Sequence, residues 1–207
     1  MIVLGLTGPS GSGKSSLLRE LSISGAVIID CDQIVRELQI AGTACYAAIV
    51  SEFGNDVVDH ENHRIDRSIL GPIVFSDPGK LVKLNAITHH FVLKRIHSLI
   101  LEHEKNGTEL IVIEAGAYFE SGMDQMCDLT IYLTAPRQIL IQRICSRDKL
   151  SVQAAEKRLN SQFNSIEAIR RSDIVLLNDG DPSLLRHFSR LICSMAPEWK
   201  KNKQGVL

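Results

Sequence analysis

The segment Gly8-Pro9-Ser10-Gly11-Ser12-Gly13-Lys14-Ser15 constrains this chain more than any other stretch. It follows directly on an apolar run, Ile2-Val3-Leu4-Gly5-Leu6-Thr7, which reads as a buried parallel strand. A helical pattern follows from about Lys14 to Ser24, with Leu17, Leu18 and Leu21 on one face and Gly25 placed to end it. Strand, glycine-rich turn and helix in immediate succession are the setting that a GxxxxGK[ST] match requires. The glycines let the backbone curl so that successive N–H groups point at one anion. The helix that begins there adds its positive end. Lys14 can then reach the β- and γ-phosphates of a nucleoside triphosphate, and the Ser15 hydroxyl can ligate Mg²⁺. Gly8, Gly11, Ser12, Gly13, Lys14, Ser15 and Ser16 are the expected binding residues, with ATP as phosphoryl donor and Mg²⁺ as its counterion.

The rest of the chain alternates strand and helix. Ala26–Ile29, Leu110–Ile113, Leu129–Leu133 and Ile174–Leu177 read as further buried strands. The expected fold is α/β, a P-loop NTPase-like doubly wound sheet of five parallel strands, with strand two beside strand one. About 75 residues, roughly 31–106, separate strands two and three, far more than a crossover helix needs. Val82, Ile87, Phe91, Leu93, Ile96, Leu99 and Ile100 recur near helical spacing there, which suggests a helical insertion that builds a substrate pocket. Residues 143–172 are polar and charged and resemble a mobile cover. A last helix, about Pro182–Met195, carries Leu184, Leu185, Phe188, Leu191, Ile192 and Met195 on an expected core stripe. The organisation is one domain over 1–207, with a core at about 1–35, 107–142 and 173–195, an insertion at about 36–106 and a lid at about 143–172.

Bulk properties narrow the partners. With 23 Lys and Arg against 24 Asp and Glu, the chain has no general pull toward nucleic acid or an anionic membrane. The basic tail, Lys200, Lys201 and Lys203, is short and reads as a solvated end. Five scattered cysteines without a CxxC pair fit reduced thiols in a cytoplasmic protein. The N-terminus runs straight into the phosphate loop and lacks a basic leader, and no apolar run has the length to span a bilayer.

Phosphate binding does not choose the reaction. A guanine-specific Asn-Lys-x-Asp is missing, and Leu177-Asn178-Asp179 is its nearest approach. A small-molecule kinase needs a group beside the γ-phosphate to orient an acceptor hydroxyl. Ile29-Asp30-Cys31-Asp32 supplies two carboxylates which, two apart in extended chain, face the same way. Asp32 is the candidate to accept the hydroxyl's hydrogen bond and finally its proton. Asp30 either supports Mg²⁺ through water or caps the next helix. Glu114, directly after the third strand, is either a Walker-B-like acid near Mg²⁺ or a cap or surface residue. Arg143, Arg147 and Arg158 either stabilise charge on the transferring phosphoryl or form a solvated face.

These residues, taken in order, resemble the dephospho-coenzyme A kinase family. Gly-Leu-Thr-Gly-x-x-Gly-Ser-Gly-Lys-Ser and Ile29-Asp30-x-Asp32 carry the likeness first. Asp66-Arg67-Ser68-Ile69-Leu70 with Val74-Phe75 follows, then Leu84-Asn85-Ala86-Ile87-Thr88-His89. Arg143-x-x-x-Arg147-Asp148, Arg158-x-x-x-Gln162 and Asp173 with Asn178 complete it. The resemblance implies ATP-dependent phosphorylation of the ribose 3′-hydroxyl of dephospho-CoA in the cytoplasm. It implies Asp32 as the catalytic aspartate, with Lys14, Arg143 and Arg147 beside it, the insertion as the CoA-binding part and 143–172 as the lid. Two departures stand out. Glu114-Ala115-Gly116-Ala117-Tyr118-Phe119-Glu120 replaces Asp-x-Pro-Leu-Leu-x-Glu, which is expected to reshape the acceptor pocket, and His90 stands where proline is usual. The alternatives are a shikimate- or nucleoside-monophosphate-type kinase and a nucleotide-binding module without catalysis. Leu84–His89 and the length of the first insertion argue against the former.

Overall fold

Strands long enough to cross a sheet, each followed by a helix with one apolar face, can bury both surfaces of a parallel sheet. The computed structural model describes residues 1–204, without the side chains of Pro182 and residues 200–204. The tail lysines Lys200, Lys201 and Lys203 therefore lie outside the described side chains. The chain forms two compact units: Met1–Ile29 with the chain from Ile100 onward, and Asp30–Leu99.

The first unit opens with β1 (Ile2–Thr7), α1 (Lys14–Ile23) and β2 (Val27–Asp30). After the second unit's elements come β5 (Leu110–Glu114), β6 (Leu129–Thr134), α6 (Arg137–Asp148), α7 (Val152–Asn160), α8 (Ser165–Arg171), β7 (Ile174–Leu177) and α9 (Pro182–Gln204). The parallel sheet has the order β2-β5-β1-β6-β7. This corrects the expectation that strand two lies beside strand one: β5 stands between them, with Ile2 opposite Leu110 and Leu6 opposite Glu114. Burial explains the exchange. Leu110, Ile111, Val112 and Ile113 are all buried, which suits a strand covered on both faces, whereas β2 buries only Ile29 fully.

Period-two alternation divides the sheet's two faces. Ile2, Leu4, Leu6, Val112, Ile131 and Leu133 pack with Leu17 and Leu21 of α1 and Leu185, Ile192 and Ala196 of α9. Two details of α9 differ from expectation. It continues through Pro197 to Gln204, and Leu191 is exposed rather than part of the core stripe. On the opposite face Gly5 leaves a slot that Tyr118 fills. The Tyr118 ring is 1% exposed, and its hydroxyl shares a 2.9 Å hydrogen bond with Thr130, the register neighbour of Gly5. A Cβ on Gly5 would stand 1.7 Å from that hydroxyl oxygen. Burial lifts the Tyr118 phenol far above its ordinary range and pushes the neighbouring Cys127 thiol up to about 12.

The second unit contains α2 (Cys31–Leu38), α3 (Ala44–Phe53), β3 (Val58–Asp59), β4 (Arg64–Ile65), α4 (Arg67–Phe75) and most of α5 (Pro78–Lys105). Its core is Cys45, Ile49, Val57, Ile65, Leu70 and Val74, with Leu84, Ile87 and Phe91 packed against it. Thr43 caps α3 and Asp66 caps α4 through their side-chain oxygens. The insertion is not helical throughout, because β3 and β4 form an antiparallel hairpin with His63 in the left-handed region at its turn. Strands of two residues are too short to display an alternation in sequence.

Candidate active site

The phosphate loop joins β1 to α1 and is held open by what lies beneath it. Gly13, the N-cap of α1, has φ of 100° and no side chain capping the helix. A Cβ there would meet the Asn178 amide nitrogen at 2.3 Å, so both conformation and space demand glycine. Asn178 is 6% exposed, follows the end of β7, and donates from Nδ2 to the Ser12 carbonyl at 2.7 Å. Arg143 of α6 donates to the Gly11 carbonyl at 3.2 Å and to the Asn178 carbonyl at 3.4 Å. With the Gly11 and Ser12 carbonyls engaged by Arg143 and Asn178, the uncapped end of α1 is left free to receive an anion.

Lys14 lies across the loop. Its Nζ donates to the Gly8 carbonyl at 2.8 Å and stands 4.0 Å from the Glu114 carboxylate at the end of β5. Ser15 and Ser16 are exposed on the first turn of α1. The Ser12 hydroxyl is buried without a hydrogen-bond partner, an unsatisfied polar group inside the loop. Ser10 is tied to the α7–α8 connection: its N–H donates to Gln162 Oε1 at 3.1 Å, and Gln162 Nε2 donates to its hydroxyl at 3.0 Å.

Arg147 and Arg158 are both turned onto Asp148. Arg147 forms a two-point pair at 2.7 and 3.0 Å, and Arg158 an ion pair with the same carboxylate. The Arg147 hydrogen bond, with Arg158 assisting, holds the Asp148 carboxyl down at about 2. Of the expected lid arginines, Arg143 alone touches the phosphate loop among the described residues.

A cavity of about 440 Å³ opens beside the loop, walled by Thr7, Gly8 and Pro9, by Gly116, Phe119 and Glu120, and by Leu159, Gln162 and Phe163. Phe119 and Phe163 lie with ring centres 5.1 Å apart, and the Arg171 guanidinium covers Phe119 at 4.5 Å. The altered segment after β5 thus acts on this wall through Gly116 and Phe119, while Tyr118 faces away into the sheet. Arg137, which also lines the cavity and donates to Asn160 at 2.9 Å, was not singled out in the sequence. Its signal was position: it opens a helix just past the carboxyl end of a central strand.

In the second unit, Asp30 and Asp32 do not share an extended segment. The strand ends at Asp30, whose side chain accepts from the Gln33 N–H at 3.1 Å as the cap of α2, and Asp32 is exposed in the first helical turn. The same-face argument from strand spacing is therefore replaced by a strand-to-helix junction.

Mg²⁺ fits the phosphate-loop residues by the chemistry of the donors. Ser15 and Glu114 offer oxygen, and among the described residues no group of three His, Cys, Asp or Glu could hold a metal by itself. Mg²⁺ favours such sparse protein ligation, completed by substrate phosphates and water.

A five-stranded parallel sheet with a lysine-bearing phosphate loop and a helical cover over it defines a P-loop kinase. The family model described as "Dephospho-CoA kinase" matches residues 2–183. The dephospho-CoA kinase of Moorella thermoacetica is 38% identical over 185 residues, 87% of this chain and 85% of its own. The structure of dephospho-CoA kinase from Campylobacter jejuni superposes with a TM-score of 0.70 at 26% identity, over 96% of this chain and 98% of that one. Shikimate kinase from Acinetobacter baumannii, at 17% identity and a TM-score of 0.56 over 97% and 95% of the two chains, shares the fold. The chain belongs to the dephospho-CoA kinase family, ATP-dependent phosphotransferases of coenzyme A biosynthesis. No helix of the described residues is long and apolar enough to cross a membrane.

Proposed function

We propose that this chain transfers the γ-phosphoryl of ATP to the ribose 3′-hydroxyl of dephospho-CoA, giving coenzyme A and ADP. The observation that carries the reading is the phosphate loop with Lys14 held between the Gly8 carbonyl and Glu114, in a chain matched by the family over residues 2–183. The acceptor oxygen forms a bond to the γ-phosphorus as the bond from that phosphorus to the β–γ bridging oxygen breaks. ADP leaves, and the hydroxyl proton passes to the Asp32 carboxylate. Phosphoryl transfer has a loose transition state, so placing the hydroxyl matters more than the strength of the base. Lys14 offsets charge on the γ-phosphoryl and the leaving oxygens. Arg143 holds the loop's carbonyl side and is a positioning residue, while the Arg147 guanidinium needs to leave Asp148 to meet phosphate. Mg²⁺, held by Ser15 and through water by Glu114 or Asp30, would supply Lewis-acid neutralisation of the phosphates. The insertion is read as the CoA-binding part, residues 143–172 as the lid, and the cytoplasm as the compartment, where free thiols such as these five persist.

The position of the new phosphate tests the reading. Phosphorus NMR of the product is expected to show a single new 3′-phosphomonoester beside an unchanged diphosphate. A phosphate on any other atom of the acceptor would overturn it.

A further inference from the structure

The second unit holds a cavity of about 710 Å³ between α2, the β3–β4 hairpin and the start of α4. Three arginines line it: Arg36, Arg64 and Arg67. Three acids line it as well, yet each is already engaged close by. Asp59 accepts from the Asn62 backbone and amide at 3.0 and 2.8 Å and from Arg64 at 3.4 Å. Asp66 caps α4, accepting from the Ser68 N–H at 2.8 Å and its hydroxyl at 2.6 Å. Glu37 accepts from Gln33 at 2.9 Å. Among the described residues no carboxylate comes within ion-pair distance of Arg36 or Arg67. Arg67 is fixed instead by a neutral partner, donating from Nε to Gln39 Oε1 at 2.9 Å, and Gln39 is 7% exposed.

Arg36 and Arg67 repel one another, and among the described residues neither is in direct ion-pair contact with a carboxylate. Burial first, and then the charges of Arg36 and Arg64, work against the Arg67 guanidinium, while Asp32 favours it. Asp32 also precedes Arg36 by four residues on α2, so the two share a helix face. A planar guanidinium held by a buried amide, in a cavity lined by a second arginine, suits bidentate binding of phosphate oxygens.

We propose that this cavity is an anion subsite built on Arg36 and Arg67, and that it takes the 5′-diphosphate of a nucleotide acceptor. The assignment of the diphosphate rests on the reading of the acceptor given above. It adds a reason for the carboxylate's place: a nucleotide held here by its diphosphate carries its 3′-hydroxyl only a few bonds away, and Asp32 lies one turn before Arg36 on the same helix. The chain thereby distinguishes an acceptor with a diphosphate from the bare nucleoside.

Two measurements decide it. First, inorganic pyrophosphate is titrated calorimetrically into the whole protein with the phosphate loop saturated by ADP and Mg²⁺, for wild type, Arg36→Gln, Arg67→Lys and the double Arg36→Gln/Arg67→Gln. Binding is expected to weaken at least tenfold in the double variant and to fall with added salt, and Arg67→Lys is expected to lose part of it because charge alone does not restore the fork. Equal binding in all four proteins would overturn the subsite. Second, initial rates are compared for dephospho-CoA and for adenosine. Arg36→Gln, exposed and without an ion-pair partner, is expected to keep the wild-type melting temperature, to raise KM for dephospho-CoA about tenfold or more, and to leave KM for ATP and kcat/KM for adenosine unchanged. An equal loss with both acceptors, or no change with dephospho-CoA, would overturn the diphosphate assignment. If wild type does not turn over dephospho-CoA at all, the proposed reaction fails while the pyrophosphate titration still decides the subsite.

Discussion

Lys14 Nζ sits 4.0 Å from Glu114 Oε1 and 2.8 Å from the Gly8 carbonyl oxygen, so the loop's one ammonium is held between its own backbone and the end of the adjacent strand. The carboxylate that steadies it here is also an oxygen donor suited to a hydrated Mg²⁺. Lys14→Ala should lower kcat/KM for ATP by roughly 10²-fold or more, the scale seen when one charge-stabilising donor is removed. Glu114→Gln should chiefly raise the Mg²⁺ concentration needed for half-maximal rate. Initial rates against ATP and Mg²⁺ check both, and unchanged parameters in Lys14→Ala would contradict the loop assignment.

Asp32→Asn should keep ATP binding and lose kcat by roughly 10²-fold or more, as removal of a general base does. Equilibrium binding of ATP beside steady-state rates separates the two. A near-normal kcat would take Asp32 out of the reaction.

Asn178→Ala should weaken both the fold and the loop. The buried amide supports the Ser12 carbonyl at 2.7 Å, and an unsatisfied buried acceptor costs about 1–3 kcal/mol. For a chain of this length that corresponds to a fall in Tm of roughly 2–4 °C per kcal/mol. KM for ATP should rise in parallel, because Gly13 loses the group packed beneath it. Thermal melts with and without ATP give both numbers.

The fit of Tyr118 to Gly5 is testable by exchange. Gly5→Ala places a Cβ into the Tyr118 hydroxyl and should destabilise by about 1–3 kcal/mol, the range for overpacked cores. Gly5→Ala combined with Tyr118→Leu should recover much of that loss, since Leu vacates the slot. Additive losses in the double variant, read by urea unfolding, would show that the two side chains are not coupled.

Asp148 predicts a pH dependence. Its folded-state carboxyl lies at about 2, below the ordinary 3.8, mainly through the Arg147 hydrogen bond and then Arg158. A depressed carboxylate contributes stability that is present above the unfolded value and is lost as pH falls through the folded one. The stability difference between wild type and Asp148→Asn should therefore be constant above about pH 5 and shrink between pH 4 and 2. The group is exposed, so the difference is small and declines with salt.

Much of the fold was legible because β1, β5 and β6 are near-continuous apolar runs that lie buried inside the sheet; β7, just as apolar and expected to be buried, instead forms the sheet edge with Val175 and Leu177 exposed. The strand order was not legible. Neighbourhood in sequence suggested β2 beside β1, and only relative burial, all of Leu110–Ile113 against Ile29 alone, separates a central strand from an edge. The hairpin at Val58–Ile65 escaped because two-residue strands have no period. At the site, the loop residues followed from spacing alone, whereas the support from Asn178, Arg143 and Gln162 depends on contacts more than 130 residues distant in the chain. Arg36 and Arg67 show the same limit. Arg36 looks like an ordinary helix-surface arginine, and Arg67 is marked only by the resemblance of its segment, until α2 and the hairpin form a cavity lined by both, with the neighbouring acids engaged elsewhere.

The acceptor is identified most directly by the rate of ADP formation by the purified protein with ATP and Mg²⁺, measured with dephospho-CoA, shikimate and a nucleoside monophosphate separately. ADP and coenzyme A should form in equal amounts with dephospho-CoA, with no turnover of shikimate and a far lower rate with the nucleoside monophosphate. Turnover with shikimate or the nucleoside monophosphate but not with dephospho-CoA, or ATP binding without turnover of any acceptor, would contradict the assignment of dephospho-CoA as acceptor.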